Sequence, residues 1–321
     1  MTGKSVKPLN YIVVKNDKGR ILTKKIVKFV GGLGNQMFQY AFAYALSEKL
    51  NTEVKLDLSW FEEVKTHQNV TARPFDLNVF NIDYEVAIKE ELAEIIRTVK
   101  RSKVQRFLHN VFKIKKYRPI GTCFVEMVMG EFNKKLLSSL DYFYYDGYFQ
   151  NEKYFKDARE ELLKAFSLNL PVDEQNQGVL DEILKTDSVS LHVRRGDYVT
   201  LECAKDFHGT CSIEYYQKAI EYIAKKVKAP HFFLFSDDIP WVAENLKLEY
   251  PCTIVDFNQD KSWMDLELMK NCKHNITANS SFSWWGAWLN QNPQKIVVAP
   301  RQWTAKKVKK CGIIPPEWIK L

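Results

Sequence analysis

From residue 187 to 300, short apolar runs alternate with stretches whose apolar positions recur at helical spacing. The runs 189–193, 231–235, 253–255, 274–278 and 295–300 are predicted strands. Phe232-Phe233-Leu234-Phe235 is apolar throughout, as a parallel strand covered on both faces requires. Helices are predicted over 173–185, over 212–226 with Ser212 as N-cap, from 241, over 263–270, and from the segment 279–285. The first half carries the same rhythm less regularly. A strand over 25–30 runs into Gly31-Gly32-Leu33-Gly34-Asn35-Gln36, then a helix over 37–50 with Phe38, Ala41, Phe42, Ala45 and Leu46 on one stripe, then a strand over 54–58. A strand, turn, helix, strand unit implies parallel pairing. Residues 85–112 read as mostly helical, 121–127 as a strand, 141–150 as an aromatic strand entering a turn, and 152–166 as a helix.

Ser167-Leu168-Asn169-Leu170-Pro171 interrupts that last helix and divides the chain. The expected organisation is a flexible basic leader over 1–24, an α/β domain over 25–168 and a second over 169–321, with parallel sheets facing across a cleft. A length of 321 residues suits two such domains.

Charge changes this picture little. The net charge is +8, but residues 1–30 hold eight Lys/Arg against Asp17, so a net +7 lies in those thirty residues and the rest of the chain is only +1. A nucleic-acid partner is therefore not expected. Residues 95–118 hold nine Lys/Arg and no carboxylate, with Val104, Phe107, Leu108, Val111 and Phe112 at helical spacing. The preferred reading is a solvated helix with its apolar face in the core; peripheral contact with an anionic membrane surface is the alternative. The six cysteines form no C-x-x-C pair, so reduced thiols and a cytoplasmic setting, with or without attachment to the inner face of the membrane, are expected. No apolar run approaches the roughly 18 residues of a membrane span.

Three polar clusters follow predicted strands of the second half: His192-Val193-Arg194-Arg195-Gly196-Asp197, Ser236-Asp237-Asp238, and Asn279-Ser280-Ser281-Phe282-Ser283. Polar residues gathered at the carboxyl ends of parallel strands are the pattern of a nucleotide site. Arg194 and Arg195 offer guanidinium forks to phosphate, and Ser280, Ser281 and Ser283 lie at a helix start, where free N–H groups favour an anion. Asp237 or Asp238 could accept from ribose or base. The rival readings are a salt bridge for the arginines and helix capping for the serines and Asp238. No Asp-x-Asp triplet follows a strand to hold a metal on a diphosphate, so two arginines are expected to meet the leaving charge without one. Gly31, Gly32 and Gly34 lack the third glycine of a dinucleotide fingerprint but allow close backbone approach of a ligand. Trp284, Trp285 and Trp288 read as core.

Together, Gly31-Gly32-Leu33-Gly34-Asn35-Gln36-Met37-Phe38-Gln39-Tyr40, the 192–198 motif and Ser281-Phe282-Ser283-Trp284-Trp285-Gly286 resemble the α-1,2-fucosyltransferases of glycosyltransferase family 11, over roughly residues 25–305. The His-x-Arg-Arg-x-Asp element alone is shared with α-1,6-fucosyltransferases and, more loosely, with protein O-fucosyltransferases. The resemblance implies a GT-B-like fold, an acceptor-side first domain and a GDP-fucose-binding second domain. It implies inverting, metal-independent transfer of L-fucose to the 2-hydroxyl of a terminal galactose, without a cofactor. Arg194 would meet the β-phosphate, Arg195 support it and His192 lie near the nucleotide. Asp237 or Asp238 would bind guanosine, 280–283 would touch the diphosphate, and Gly31, Gly32, Gly34, Asn35 and Gln36 would border the donor, with Ser236 and Asn279 beside it. The chain departs from the family in its basic leader, and it lacks the N-terminal anchor of animal relatives, which fits a bacterial-type enzyme of polysaccharide biosynthesis.

The general base is open between Asp197, whose rival role is orienting an arginine, and His208, whose ordinary pKa is nearer neutrality. Acceptor candidates are Asp146, Tyr148 and Gln150. Two alternatives stand beside this reading: a GDP-fucose transferase of other linkage, such as α-1,6, and a non-enzymatic membrane-surface or RNA-binding protein. The preferred galactoside and the oligomeric state are not encoded in any motif.

Overall fold

The computed structural model describes residues 14–15, 21–22, 24–64, 72–93, 123–139, 142–196, 209–305, 308 and 311–321. Apart from a short antiparallel pair, β1 (Val14–Lys15) with β2 (Ile21–Leu22), every strand pairing in its two larger sheets is parallel.

The first of these sheets holds β3 (Lys25–Lys28), β4 (Val54–Asp57), β5 (Glu85–Val86), β6 (Cys123–Val125) and β7 (Tyr144–Asp146), in the order β5-β4-β3-β7-β6. The second holds β8 (Asp187–Val193), β9 (Pro230–Ser236), β10 (Cys252–Val255), β11 (His274–Ile276), β12 (Val297–Ala299) and β13 (Ile319–Lys320), in the order β10-β9-β8-β11-β12-β13. This is the doubly wound α/β order, with the first strand central and connections leaving it in opposite directions. The fold is thus the expected GT-B-like pair of parallel sheets. Each sheet has one switch point, between β3 and β7 in the first and between β8 and β11 in the second. Crevices open there at the carboxyl ends, because neighbouring connections diverge.

The helices whose whole span is described are α1 (Leu33–Leu50), α2 (Ser59–Glu63), α3 (Arg159–Ala165), α4 (Glu174–Lys185), α5 (Ile213–Ala224), α6 (Ile239–Asn245), α7 (Ser262–Asn271) and α8 (Ser281–Leu289). Asp173 and Ser212 cap α4 and α5 by accepting from the N–H groups of Asn176 and Tyr215.

α1 departs from the sequence reading in two ways. It begins four residues early, because Gly32 serves as N-cap with no side-chain bond, so no polar capping residue announces the start. It is also buried on nearly every side, including Gln36 and Gln39, rather than along one stripe. The reason is α8. Phe38 of α1 lies 4.5 Å from Trp284 and 5.0 Å from Trp285 between ring centroids, and Phe155 stacks on Trp285 at 5.5 Å. Trp284, Trp285 and Trp288 are core as expected, and one aromatic core runs from the first sheet into the second.

Residues 85–86, expected to be helical, form β5, residues 89–93 are helical, and the basic stretch 95–118 lies outside the described residues. The helix expected over 152–166 is instead two short 3-10 turns, Glu152–Tyr154 and Lys156–Ala158, followed by α3. Phe155 leaves helical geometry (φ −134°, ψ 0°) and is buried between Phe38 and Trp285, so packing of one ring overrides local propensity. The break at 167–171 is knitted to the first half by a bridge between Phe80 and Leu168 and by hydrogen bonds Asn81 N–H to Ser167 O (3.0 Å) and Asn169 N–H to Val79 O (2.9 Å).

Candidate functional site

Both switch points carry residues singled out from the sequence. At the end of β8, Arg194 forms an ion pair with Asp237 (2.7 Å), and Arg195 Nε donates to Asp238 Oδ2 at 3.0 Å. The Arg195 N–H donates to Asp237 Oδ1 (2.8 Å), and its guanidinium lies 3.7 Å over the Trp241 ring. Asp238 Oδ1 also caps α6 through Trp241 N–H, and Ser236 Oγ accepts from Asp238 N–H. A side chain at Gly196 would collide with the Asp237 carboxylate, so the motif glycine is what lets Asp237 sit under both arginines. Asp237 and Asp238, expected to read guanosine, are placed here as the partners that aim the arginines. Such charge-assisted forks hold a guanidinium in one orientation.

His192, the last but one residue of β8, is buried and packs 5.7 Å from Phe282. Its Nδ1 has no hydrogen-bond partner among the described residues. Burial pushes the imidazole down to about 4, against the pull of Asp237 and with the help of Arg194, so it is neutral near pH 7. The unfolded chain binds this proton near its ordinary value of about 6.5. Stability contributed by the neutral ring is therefore full above that value and is lost as pH falls towards 4. Replacing His192 by Asn is expected to flatten the fall in Tm between pH 6.5 and 4, read by thermal melts across that window. An unchanged slope would exclude His192 as its source.

After β11 the chain turns into α8. Asn279 is buried, donating to the carbonyls of Gly209 (3.1 Å) and Trp303 (3.3 Å). Ser280 is the N-cap, accepting from Phe282 N–H, and Ser283 is wholly buried on the carbonyls of Ala278 and Ser280. Capping therefore accounts for the side chain of Ser280, and the Ser283 hydroxyl is spent on carbonyls of its own turn. Ser281 instead crosses to the first half, donating to Asn35 Oδ1 at 2.8 Å.

Across that junction lies the glycine turn. Gly31 has φ +81°, and a Cβ on Gly34 would lie 2.5 Å from the Phe282 backbone nitrogen. The starts of α1 and α8 are thus in direct backbone contact, and Trp285 Nε1 donates to Gly34 O (3.1 Å). Gln36, expected to border the donor, is buried and structural. Its Nε2 donates to Gly31 O (2.9 Å) and Pro74 O (2.8 Å), and its Oε1 accepts from Asp76 N–H (2.9 Å). Gln39 does similar work, accepting from Val30 N–H and donating to Gly147 O.

The turn after β7 completes the junction. Glu126 Oε2 accepts from the N–H groups of Tyr148 (2.7 Å) and Phe149 (3.1 Å); burial raises its carboxyl despite these bonds. Phe149 is held at φ +53°, costly for an aromatic residue, by stacking on Phe42 at 3.9 Å. That conformation delivers Gln150, whose Nε2 donates to Asn35 Oδ1 at 2.9 Å, so Asn35 joins Gln150 to Ser281. Of the acceptor candidates, Gln150 is at the junction, Asp146 pairs with Lys28 (3.3 Å), and Tyr148 is half-buried with its phenol pKa raised by burial and then by Asp146. Sequence reading missed Glu126 and Gln39. Gln39 stood inside a quoted motif, whereas Glu126 carries no signal beyond a carboxylate at a strand end.

Asp197 and His208 lie outside the described residues. Among the described residues no three His, Cys, Asp or Glu side chains gather in a set that could hold a metal, and no helix is long and apolar enough to cross a membrane.

A family model described as Glycosyl transferase family 11 matches residues 4–321. The chain is 38% identical over 305 residues to the O-antigen biosynthesis glycosyltransferase WbnK of Escherichia coli, covering 91% of this chain and 98% of that protein. It is 33% identical over 307 residues to an alpha-1,2-colitosyltransferase of Escherichia coli, covering 92% and 98%. It is 26% identical over 271 residues to galactoside alpha-(1,2)-fucosyltransferase 2 of Pongo pygmaeus, covering 82% and 68%.

Proposed function

The chain belongs to glycosyltransferase family 11 and is a glycosyltransferase, and from that membership we propose that it transfers L-fucose from GDP-fucose to the 2-hydroxyl of a terminal galactose. The observation that supports the reading is the meeting of the two helix starts next to the strand that carries the aimed arginines, with His192 of that strand 5.7 Å from Phe282. In the proposed step the acceptor oxygen attacks the anomeric carbon from the face opposite the diphosphate, so configuration inverts. The bond to the β-phosphate oxygen breaks, and its electron pair leaves with GDP. Arg194, aimed by Asp237, meets that growing charge, and no metal is required. The acceptor proton passes to a general base, for which Asp197 and His208 remain the candidates. The second half would hold the donor and the first half the acceptor.

A second donor is favoured by one finding: the colitosyltransferase is closer to this chain, at 33% identity, than the galactoside fucosyltransferase at 26%. Colitose is a deoxy relative of fucose, and the same arginines would serve either donor. The deciding assay offers GDP-fucose and GDP-colitose with lactose and with type 1 and type 2 galactosides, in chelator, with the product linkage determined. An α-1,2-fucosyl product formed in chelator is expected. Strict dependence on added Mn²⁺, or an α-1,6 product, would sink the reading.

A further inference from the structure

Two buried polar atoms at the junction have no hydrogen-bond partner among the described residues: Oε1 of Gln150 in the first half and Nδ1 of His192 in the second. Their residues are only 4% and 5% exposed. They reach the start of α8 from opposite sides, Gln150 through Asn35 to Ser281 and His192 through its ring against Phe282. Buried polar groups are ordinarily satisfied, so one orphan from each half beside the same helix start marks a place for a ligand.

The Gln150 amide is the better defined of the two. Asn35 Oδ1 accepts from Gln150 Nε2 at 2.9 Å and from the Ser281 hydroxyl at 2.8 Å, so the amide must turn its nitrogen to Asn35. The free end is a carbonyl oxygen, which accepts and cannot donate. Its neighbours in sequence hold it still. Phe149 is locked at φ +53° by its stack on Phe42, and Asn151 Nδ2 donates to Gly130 O at 2.8 Å. Gln150 therefore stands where the turn after β7 meets the glycine turn after β3, at the switch point of the first sheet. An ionised diphosphate has no proton to give this oxygen, whereas a sugar hydroxyl does. The tie to Ser281 sets the amide against the half that would hold the donor.

We infer that Gln150 is a specificity-determining residue for the transferred sugar, its free carbonyl oxygen accepting one ring hydroxyl of the fucosyl group. The inference rests on the nucleotide-sugar reading above and deepens it: the second half holds the diphosphate, and the first half reads the sugar attached to it. A donor without that hydroxyl leaves the carbonyl buried and unpaired, so one atom discriminates between GDP-fucose and a deoxy donor.

The test deletes groups on both sides of the contact. kcat/KM is measured with GDP-fucose and its 2-, 3- and 4-deoxy analogues (the 3-deoxy sugar is colitose), with lactose as acceptor, for the parent chain, Gln150→Met and Gln150→Glu, with thermal melts in parallel. With the parent chain, one analogue is expected to be poorer than GDP-fucose by about 10- to 100-fold. Met keeps the length and removes the oxygen, so that penalty should shrink to less than about threefold while the other ratios stay. Glu keeps an acceptor oxygen and should keep most of the penalty. A role confined to the Asn35 bridge would lower rates with every donor alike and leave the parental ratios, and that result overturns the assignment. So does a penalty relieved only on deoxygalactosides of the acceptor, no parental penalty above about twofold, or unfolding of both variants. A parent chain inactive with GDP-fucose overturns the donor reading itself, and is told apart because it shows without any substitution.

Discussion

Arg194→Ala is expected to lower kcat by roughly 10²- to 10³-fold, with acceptor KM changed little, the range seen when one donor to a developing anion is removed. The geometry gives the reason for so large an effect. Arg194 is about four-fifths buried, with 21% of its side chain exposed, and Asp237 fixes it from behind at 2.7 Å. A guanidinium held this way meets charge without reorganising, and its effect grows as the cleft excludes water. Arg195 is committed differently: its Nε is on Asp238 and its plane on Trp241, so Arg195→Ala should cost less in rate and more in Tm. Asp237→Asn should fall between the two. It retains an acceptor for one bond but loses the charge, and the Arg195 N–H and Arg194 guanidinium then compete for one oxygen. Initial rates with GDP-fucose and lactose, in chelator and with melts in parallel, measure this. Near-parental kcat in Arg194→Ala would remove the central element of the mechanism.

The second half was legible because its strands are apolar and its chemistry follows them directly in sequence. His192 to Asp197, Ser236 to Asp238 and Asn279 to Ser283 were located by position relative to a strand, and the switch point between β8 and β11 brings the described part of the first and the last together. What each side chain does was not legible. The pairing of the two aspartates with the arginines, and the complete burial of Ser283, appear only in the fold. Such roles depend on which neighbouring strand lies alongside, and local pattern does not encode that.

The first half was harder for a physical reason. Its site is assembled by turns, and the residues that shape them come from distant segments. Glu126 holds a turn 22 residues away, and Gln36 holds Asp76 from 40 residues away, each through main-chain N–H groups that carry no sequence signature. α1 likewise looked like an ordinary amphipathic helix, because nothing local reveals that a second helix covers its outer face.

Gly34→Ala tests that covering directly. Alanine is the better helix former by about 1 kcal/mol, so propensity alone predicts a gain. The space decides otherwise. The new Cβ would lie 2.5 Å from Phe282 N, 2.6 Å from the Ser281 carbonyl carbon and 2.8 Å from Phe282 Cα. These are backbone atoms of a buried helix start and cannot rotate away, so the starts of α1 and α8 must part. Overpacking of this kind costs about 1–3 kcal/mol, enough to cancel the helical gain and leave a lower Tm. The loss in rate should be larger than the loss in stability. Parting the helices stretches the Trp285 bond to Gly34 O and the Ser281–Asn35–Gln150 bridge, and a misplacement of about 1 Å at a reacting centre can cost roughly 10²-fold. Gly178, inside α4, is the internal control: a Cβ there meets nothing within 4 Å, so Gly178→Ala should raise Tm and leave the rate alone. If Gly34→Ala behaves as Gly178→Ala does, the two helix starts do not touch, and the junction is not the site.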